Sequence, residues 1–303
     1  MTRGSQMAIA LCAQALLRPG DAVAVEAMGY RPAWDALAQR AELVPVPIDD
    51  EGIDVDALAA LTERRPIRAV YLTPHHQYPT TALLGAARRI RLLDLARARR
   101  FAVIEDDYDN EIHYSGRPVL PLASADRDGV VIYIGTLSKI LAPGLRVGFL
   151  CGPSALCARA TALRERYDRQ GDQAVEAALA ELFEDGEVGR HARRMRRVYQ
   201  ARREALCEAL AARLGGALSF RLPAGGMAIW AEAAPSIDVD AWAHRAAARG
   251  VVVATARRFA FDGQPRPCLR LGFAAWTEEE LWVAIGRLAA ALEDRGAPRR
   301  RAG

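Results

Sequence analysis

Helix-like and strand-like segments alternate at short intervals over the first two-thirds of this 303-residue chain, and this order constrains the fold more than any other feature. The strand-like segments are short and rich in β-branched and other apolar residues. Such an alternation is typical of a parallel sheet covered by helices. The sequence therefore predicts an α/β fold, a three-layer sandwich with a mostly parallel sheet. The predicted strands span residues 22–26, 43–47, 69–72, 102–105, 130–134 and 146–151.

After Cys157 the pattern becomes helical and stays so to about residue 214. One amphipathic connecting helix there carries an arginine face between Arg190 and Arg203, which either lies in solvent or contacts nucleic acid. A smaller α+β unit follows. We predict a large domain at residues 1–205, a small C-terminal domain at 206–294 and a disordered tail at 295–303.

Composition excludes several classes of protein. No apolar run reaches the roughly 18 residues of a membrane-spanning helix, and no signal-peptide pattern opens the sequence. The five cysteines form no C-x-x-C pair, which argues against a disulfide framework and a zinc knuckle. A net charge of +4 does not require a nucleic-acid partner. These features predict a cytoplasmic protein with no membrane partner.

The chain has a single lysine. Of its 41 Lys and Arg residues, 40 are arginine, and the exception is Lys139. Arginine stays protonated at physiological pH, whereas a lysine amine can lose its proton and act as a nucleophile. Lys139 is therefore a candidate for amine chemistry, although an arginine-rich composition can also leave one lysine by chance.

Polar residues around this lysine suit a phosphate-bearing aldehyde. Thr136 and Ser138 place hydroxyl groups beside it, and Arg146 adds a guanidinium group, which binds phosphate in a bidentate way. The carboxylates of Ile104-Glu-Asp-Asp-Tyr-Asp109 end an apolar strand, at the edge where open α/β sheets bind ligands. Gly4-Ser5-Gln6 opens the first helix, whose N–H groups and dipole favour an anion.

These segments resemble the fold-type-I aminotransferases, which use pyridoxal phosphate, and more narrowly the aminotransferase-like domain of MocR-type regulators of the GntR superfamily. The narrower resemblance rests on Thr73-Pro-His-His-Gln-Tyr-Pro-Thr80, on the 104–109 segment with Gly116-Arg-Pro-Val-Leu-Pro121, and on Gly135-Thr-Leu-Ser-Lys-Ile-Leu-Ala-Pro-Gly-Leu-Arg146. It extends over essentially the whole chain. The resemblance implies an aspartate-aminotransferase-like large domain and pyridoxal 5'-phosphate as the cofactor.

The resemblance also implies roles for individual residues. Lys139 would form the internal aldimine and move a proton between the substrate Cα and C4′ of the cofactor. Asp106 would bond the pyridine nitrogen, and Tyr108 would donate to the phenolic oxygen of the ring. The residues that would hold the phosphate are Ser5, Gln6, Thr136, Ser138 and Arg146.

Three more site residues follow from the resemblance. Tyr30 matches the aromatic residue that stacks on the ring, but it could also be a core residue. Arg270 matches the arginine that binds a substrate carboxylate, but it could form an interdomain salt bridge. Tyr78 takes a cofactor-binding position where ordinary aminotransferases have asparagine, and an aromatic residue there is what the regulator branch carries.

Other acidic residues and histidines offer alternatives. Asp107 and Asp109 compete with Asp106 for the cofactor role. His75 and His76 invite a metal site, but adjacent histidines on a strand point to opposite faces, and we expect no Cys or Glu partner near them. The sequence therefore predicts no metal.

The sequence departs from the family pattern at two places. Thr81 stands where the family turn has glycine. The chain also begins directly before the phosphate-binding turn, without the segment that completes the small domain and without the winged helix-turn-helix of the regulators. We therefore expect a fragment, a late-start gene product or a free-standing remnant, which would contact DNA only through an N-terminal domain absent from this chain.

Two functions of different classes remain open. The first is amino-group transfer between an amino acid and a 2-oxo acid, by a ping-pong sequence in a homodimer. The second is the effector-sensing domain of a MocR/GntR-type regulator, which binds the cofactor without full turnover. In both, the small-molecule partner would be an amino acid or an amine. A structural remnant without a ligand is a third reading.

Overall fold

The structure is a computed structural model that describes residues 1–116 and 119–294. The predicted disordered tail at residues 295–303 lies outside the described residues. The chain divides into two units between Arg196 and Arg197, earlier than the domain boundary expected after residue 205.

Helices and strands alternate in the first unit. In chain order they are α1 (Gly4–Leu16), β1 (Ala22–Glu26), α2 (Arg31–Ala38), β2 (Glu42–Val46), β3 (Ile48–Asp49), β4 (Gly52–Ile53), α3 (Val55–Arg64), β5 (Ala69–Leu72), α4 (Ala86–Arg99), β6 (Ala102–Asp107), α5 (Leu122–Ala125), β7 (Val131–Thr136), β8 (Gly148–Cys151), α6 (Ser154–Asp168) and α7 (Gln173–Glu184).

The main sheet of the first unit has six strands in the order β2-β1-β5-β6-β7-β8. Neighbouring strands from β2 to β7 are parallel, whereas β8 runs antiparallel to β7. Every residue of β1 and β5 is buried, as expected for strands covered on both faces. Helix α1 packs against β7 and β8, and α4 packs against β6. The predicted α/β fold with a mostly parallel sheet is confirmed.

The predicted strands at 22–26 and 69–72 match β1 and β5 at both ends. The strand predicted at 146–151 begins later, at Gly148, because Arg146 adopts a left-handed conformation with φ of 51°. The short hairpin of β3 and β4 was not predicted, since two residues per strand leave no pattern to detect.

Helix α8 (Glu187–Leu214) leads from the first unit into the second, as predicted for a single connecting helix. The remaining elements are β9 (Leu218–Phe220), β10 (Ala228–Ala233), α9 (Val239–Ala248), β11 (Ala254–Thr255), β12 (Cys268–Gly272) and α10 (Glu278–Glu293). Their strands form an antiparallel sheet in the order β11-β12-β10-β9. The second unit is therefore the smaller α+β unit that the sequence predicted. Within the described ranges, each helix is too short or too polar to span a bilayer.

Candidate functional site

Asp106 lies near the carboxyl end of β6 with one oxygen left open. The Tyr71 hydroxyl donates to its Oδ2 over 2.5 Å, whereas no described group bonds its Oδ1, although the residue is only 4% exposed. Burial, with smaller effects from the charges of Asp107 and Asp109, raises the pKa of Asp106 to about 7 against the opposing Tyr71 bond. A buried polar atom without a partner is costly, so it points to a ligand.

The carboxylates that precede and follow Asp106 have other partners. Successive residues of a strand point to opposite faces, so Glu105 and Asp107 lie across β6 from Asp106. The Tyr133 hydroxyl donates to Asp107 Oδ2 over 2.9 Å. The oxygens of Glu105 accept from the first two backbone N–H groups of α5 over 2.7 and 2.9 Å. Glu105 is thereby committed to holding the start of a helix.

Asp107 and Asp109 each keep one buried oxygen without a described partner, as Asp106 does. Their other oxygens, however, face histidines: Asp107 Oδ2 lies 3.1 Å from His75 Nδ1, and Asp109 Oδ1 lies 2.8 Å from His76 Nδ1. Among the described residues, Asp106 has no cationic group in such contact. This difference favours Asp106 as the carboxylate that meets a cationic ligand group.

Three tyrosine rings form a row beside Asp106. Tyr30 contacts Tyr78 edge to face with centroids 5.6 Å apart, and Tyr78 contacts Tyr108 in the same way at 6.1 Å. Burial and then the charge of Asp106 raise the pKa of the half-buried Tyr30, while the charge of Arg146 opposes the rise. Tyr30 therefore lies close to both charged groups, and is not a fully buried core residue.

The hydroxyl group of Tyr108 donates to the His76 carbonyl oxygen over 2.8 Å. A phenol has one proton to donate. The donation to a ring oxygen that the resemblance implies would therefore require this hydroxyl group to turn away from His76.

Two glycines hold the N-terminus of α1 against β8. Thr2 and Gly148 exchange backbone hydrogen bonds of 2.8 and 2.9 Å. A Cβ at Gly148 would lie 2.7 Å from the Gly4 carbonyl carbon and 2.8 Å from the Ser5 nitrogen. Gly4 has φ of 76°, and a Cβ there would lie 2.9 Å from Nη2 of Arg146. The close approach brings the Arg146 guanidinium to the first turn of α1.

Hydroxyl groups join this helix end. Thr136 pairs with Gly148 in the β7–β8 register, and its Oγ1 accepts from the Ser138 N–H over 3.2 Å. The Ser138 Oγ is buried and has no partner among the described residues. Gln6 donates one proton of its side-chain amide to the Pro32 carbonyl oxygen over 2.7 Å, and its backbone N–H belongs to the first turn of α1. The Thr136 hydroxyl itself donates to the Val147 carbonyl oxygen over 3.4 Å, so it supports the Ser138 turn. The Ser138 hydroxyl, the first turn of α1 with Ser5, and Arg146 form a set of donors that suits a phosphate group.

Lys139 follows the last residue of β7, Thr136, by three positions and is exposed. In the neighbouring strand, Asp106 pairs with Ile134. Parallel strands end at the same edge of a sheet, and this edge is where open α/β sheets bind ligands. The structure thus brings Lys139 and Asp106 to one edge.

A comparison with protein families decides what kind of chain this is. The model of the family "Aminotransferase class I and II" matches residues 1–288. The chain belongs to this family.

Two relatives of this chain differ in kind. The chain is 32% identical over 299 residues to aromatic-amino-acid aminotransferase 1 of Thermococcus litoralis, which covers 97% of this chain and 72% of the relative. It is 33% identical over 298 residues to the HTH-type transcriptional regulator TauR of Rhodobacter capsulatus, which covers 96% of this chain. The chain spans only 60% of the length of that regulator.

A solved structure gives the same picture of the fold. It is LysN, the alpha-aminoadipate aminotransferase of Thermus thermophilus, complexed with N-(5'-phosphopyridoxyl)-L-leucine. Its TM-score with this chain is 0.90 at 30% sequence identity, over 96% of this chain and 76% of that one.

Arg270 lies on β12 in the second unit, where it pairs with Trp230 of β10 and Ala254 of β11. Its side chain is half-buried. The substrate-binding role that the resemblance implies for it stays a prediction.

His75 has carboxylate neighbours that the sequence did not predict. Ligand atoms of His75, Glu105 and Asp107 lie within 4.8 Å of one another, and all three residues are buried. The expectation that no Glu lies near these histidines is therefore wrong, because the second face of β6 meets the loop after β5. Although burial disfavours the imidazolium, Asp107 raises the pKa of His75. His75 Nε2 lies 2.6 Å from the Val119 carbonyl oxygen, so the imidazole is held between this carbonyl group and the Asp107 carboxylate.

The sequence analysis missed two buried polar residues, Glu26 and Gln77, which are 2% and 1% exposed. Glu26 ends an otherwise apolar strand, and Gln77 stands between His76 and Tyr78 in a segment noted only for its resemblance. Burial raises the pKa of Glu26 to about 8, despite hydrogen bonds from Thr73 that oppose the rise. The sequence signal that could have identified both residues is a charged or amide side chain at or near the end of an apolar strand.

Thr81 shows why its departure from the family pattern matters. It has φ of 63°, in the left-handed region where a β-branched residue is strained. Glycine takes this conformation without that strain.

Proposed function

We propose that this chain binds pyridoxal 5'-phosphate and uses it to transfer an amino group between an amino acid and a 2-oxo acid. The observation that carries the proposal is the open, buried Oδ1 of Asp106 at the same sheet edge as Lys139. The family, which depends on this cofactor in general, supports it. The phosphopyridoxyl amino acid in the structure of LysN supports it further.

The described residues fit each part of the cofactor. Asp106 Oδ1 would accept from the protonated ring nitrogen, and the first turn of α1 with Ser138 and Arg146 would bind the phosphate. The half-buried ring of Tyr30 would cover the ring face. Lys139 would bind the aldehyde carbon through Nζ.

Asp106 would hold a proton for the ring nitrogen. With a pKa of about 7, the carboxyl group still carries its proton on the acid side of neutrality. Asp106 could give this proton to the ring nitrogen of the cofactor and would then remain beside the cationic ring as a carboxylate. Since the site is buried, such a pair is stronger than it would be in water.

When bound, the cofactor supplies an electrophilic carbonyl carbon and an electron sink for a carbanion at the substrate Cα. Lys139 would then act as the general base, because its Nζ can take the proton from Cα and return it. A base of this kind must reach the proton over a hydrogen-bond distance. The exposed position of Lys139 allows this.

Titration with the cofactor, followed by borohydride reduction, tests the proposal. The wild-type protein should develop a visible absorption band, and reduction should add a phosphopyridoxyl group to the peptide that contains Lys139. Since Lys139 is the only lysine, the N-terminal amine is the one competing amine of the chain. Lys139→Ala should lose the adduct, and Lys139→Arg serves as the charge-matched control. The proposal would be refuted if the wild-type protein showed no visible band. It would also be refuted if Lys139→Ala showed the same spectrum as the wild type.

A second candidate is the sensing domain of a transcription regulator. It is supported by the similarity to TauR over 96% of this chain and by Tyr78 in place of asparagine. A sensor should bind an amino acid at the cofactor and stop there. Conversion of an amino acid with a 2-oxo acid over many turnovers therefore favours the enzyme, and binding without turnover favours the sensor.

Our proposal also covers where the protein is located and how it assembles. Five free cysteines suit a reducing compartment, so we place the protein in the cytoplasm. We expect a homodimer, which light scattering in solution would test.

We expect Arg270 to bind a substrate carboxylate, so Arg270→Leu should raise the amino-acid KM without changing cofactor affinity.

A further inference from the structure

Gln77 uses all of its hydrogen-bonding capacity inside the protein. Its Nε2 donates to the carbonyl oxygens of Met28 and Tyr78 over 2.8 and 2.7 Å. Its Oε1 accepts from the N–H and the hydroxyl of Thr80 over 3.2 and 2.7 Å. A carboxamide offers two donated protons and two accepting lone pairs, and all four are used here. Because the carbonyls can only accept, they also fix which end of the amide faces them.

One of these four bonds, the one to the Met28 carbonyl oxygen, crosses between two separate loops, and the other three hold the turn that carries Gln77. Met28 lies in the loop that leads from β1 to Tyr30, and Tyr78 and Thr80 lie in the turn that follows β5. The two loops present the rings of Tyr30 and Tyr78, whose centroids are 5.6 Å apart. Gln77 therefore holds the shape of the Tyr78 turn and ties that turn directly to the backbone of the Met28 loop.

A second set of hydrogen bonds holds the backbone N–H of Tyr78. The Tyr78 N–H donates to Thr73 Oγ1 over 2.8 Å, and the Thr73 hydroxyl and N–H donate to Glu26 Oε2 over 3.0 and 3.2 Å. The backbone N–H and the carbonyl oxygen of Tyr78 are thus both bonded to buried side chains. Glu26 belongs to β1, so these bonds also join β1 to the turn that follows β5.

We propose that Gln77 is a positioning residue of the cofactor site, whose carboxamide clamps the Met28 loop to the Tyr78 turn and so sets the Tyr30 and Tyr78 rings against each other. The assignment rests on the proposed function, in which Tyr30 covers the cofactor ring. Gln77 acts through these rings and not by contact with the cofactor. A methionine has a similar length but no donor, and a protonated glutamic acid donates only one proton, so neither can replace it.

Hydrogen exchange in the cofactor-free protein tests the clamp without any use of the cofactor. In Gln77→Met, amides of the segments 27–31 and 77–82 should exchange about 10-fold faster, because loss of several buried bonds lowers the local opening free energy. Gln77→Glu should give a smaller increase in the same segments. Gln14→Glu is the matched control, since the half-buried Gln14 only accepts from Tyr167, and a carboxylate keeps that bond. Unchanged exchange in both Gln77 variants would overturn the clamp.

Cofactor affinity then tests whether the clamp acts through the tyrosines. Gln77→Met should weaken cofactor binding about 10-fold, while borohydride still attaches the cofactor to Lys139. In a Tyr30→Ala background, the same change should cost less than about 3-fold, since Gln77 then has one ring fewer to position. In an Asp106→Asn background, it should keep its full effect.

The outcomes separate the two proposals. A folded Gln77→Met protein with wild-type affinity, or with a full additional loss in the Tyr30→Ala background, would overturn the positioning role. If Gln77→Met does not fold, Gln77→Glu carries the same comparison. A wild-type protein that binds no cofactor would overturn the proposed function instead, and the exchange experiment would still decide whether the clamp exists.

Discussion

The two faces of strand β6 carry the same kind of side chain and treat it differently. On one face, the Asp106 carboxyl has a tyrosine hydroxyl on one oxygen and no described partner on the other. On the opposite face, Glu105 accepts two backbone N–H groups and Asp107 meets Tyr133 and His75. The charge of buried Arg89 also acts on Glu105 and Asp107.

The comparison teaches that burial alone does not identify a functional carboxylate. All three acids are buried, and burial raises the pKa of both Glu105 and Asp106. What differs is that Glu105 accepts two backbone N–H groups and Asp107 lies beside His75, whereas no described cationic group lies in such contact with Asp106. A face that compensates its acids stabilises the fold, and a face that leaves one uncompensated is prepared for a cationic ligand.

The largest expected effect is on the open face. Asp106→Asn should lower turnover, or amino-acid reactivity if the protein is a sensor, by about 100-fold or more, because the amide cannot neutralise a protonated ring nitrogen. At neutral pH its unfolding free energy should change by only about 1 kcal/mol, since a poorly compensated buried acid is lost. Steady-state kinetics and urea unfolding measure the two quantities. A stability loss without a functional loss would reverse the assignment of the faces.

The matching change on the compensated face should do the opposite. Glu105→Gln leaves one N–H group at the start of α5 without an acceptor, which should cost about 2 kcal/mol of unfolding free energy. Cofactor affinity, measured by absorbance titration, should stay within about 3-fold of the wild-type value. If affinity falls as steeply as in Asp106→Asn, the two faces do not divide the work as we describe.

The pH dependence of stability tests the state of Asp106, on the open face, in the cofactor-free protein. Asp106 has a pKa of about 7 when folded and 3.8 when unfolded, so the folded state binds the extra proton between these values. Its stabilising contribution is complete below the unfolded pKa and is lost as the pH rises through the folded pKa. Urea unfolding from pH 5 to 8 should therefore show Asp106→Asn gaining about 2 to 3 kcal/mol on the wild type. A difference that does not change with pH would contradict this sign.

The smallest effects come from a matched pair of hydroxyl deletions. Tyr133→Phe should lower the unfolding free energy by about 1 kcal/mol and leave cofactor binding unchanged. Tyr71→Phe removes the bond that opposes the pKa rise of Asp106, so its effect should appear in the pH profile of cofactor affinity, shifted to higher pH. Equal effects of the two variants on that profile would show that both faces serve the cofactor.

The sequence predicted what depends on local pattern. The apolar runs of β1 and β5 gave their strands to the residue, and the arginine bias singled out Lys139. The donors at the start of α1 were predicted from the residues that open the helix, and the structure places Arg146 beside them. These features need no knowledge of which strands are neighbours.

Other features depend on register and on backbone conformation, which no local pattern carries. The Glu105–His75 neighbourhood arises only because the loop after β5 crosses the second face of β6. The late start of β8 follows from the left-handed Arg146, and the bond of Gln6 to Pro32 redirects a side chain that was predicted to hold phosphate. Gln77 shows its role only when both loops that it bonds are seen together.

The most direct test of the account is the protonation state of the cofactor ring nitrogen, read by NMR of 15N-labelled pyridoxal phosphate bound to the protein. We predict a protonated nitrogen in the wild type, with the cofactor attached to Lys139, and an unprotonated nitrogen in Asp106→Asn. An unprotonated nitrogen in the wild type, or the same signal in both proteins, would contradict the pairing of Asp106 with the ring.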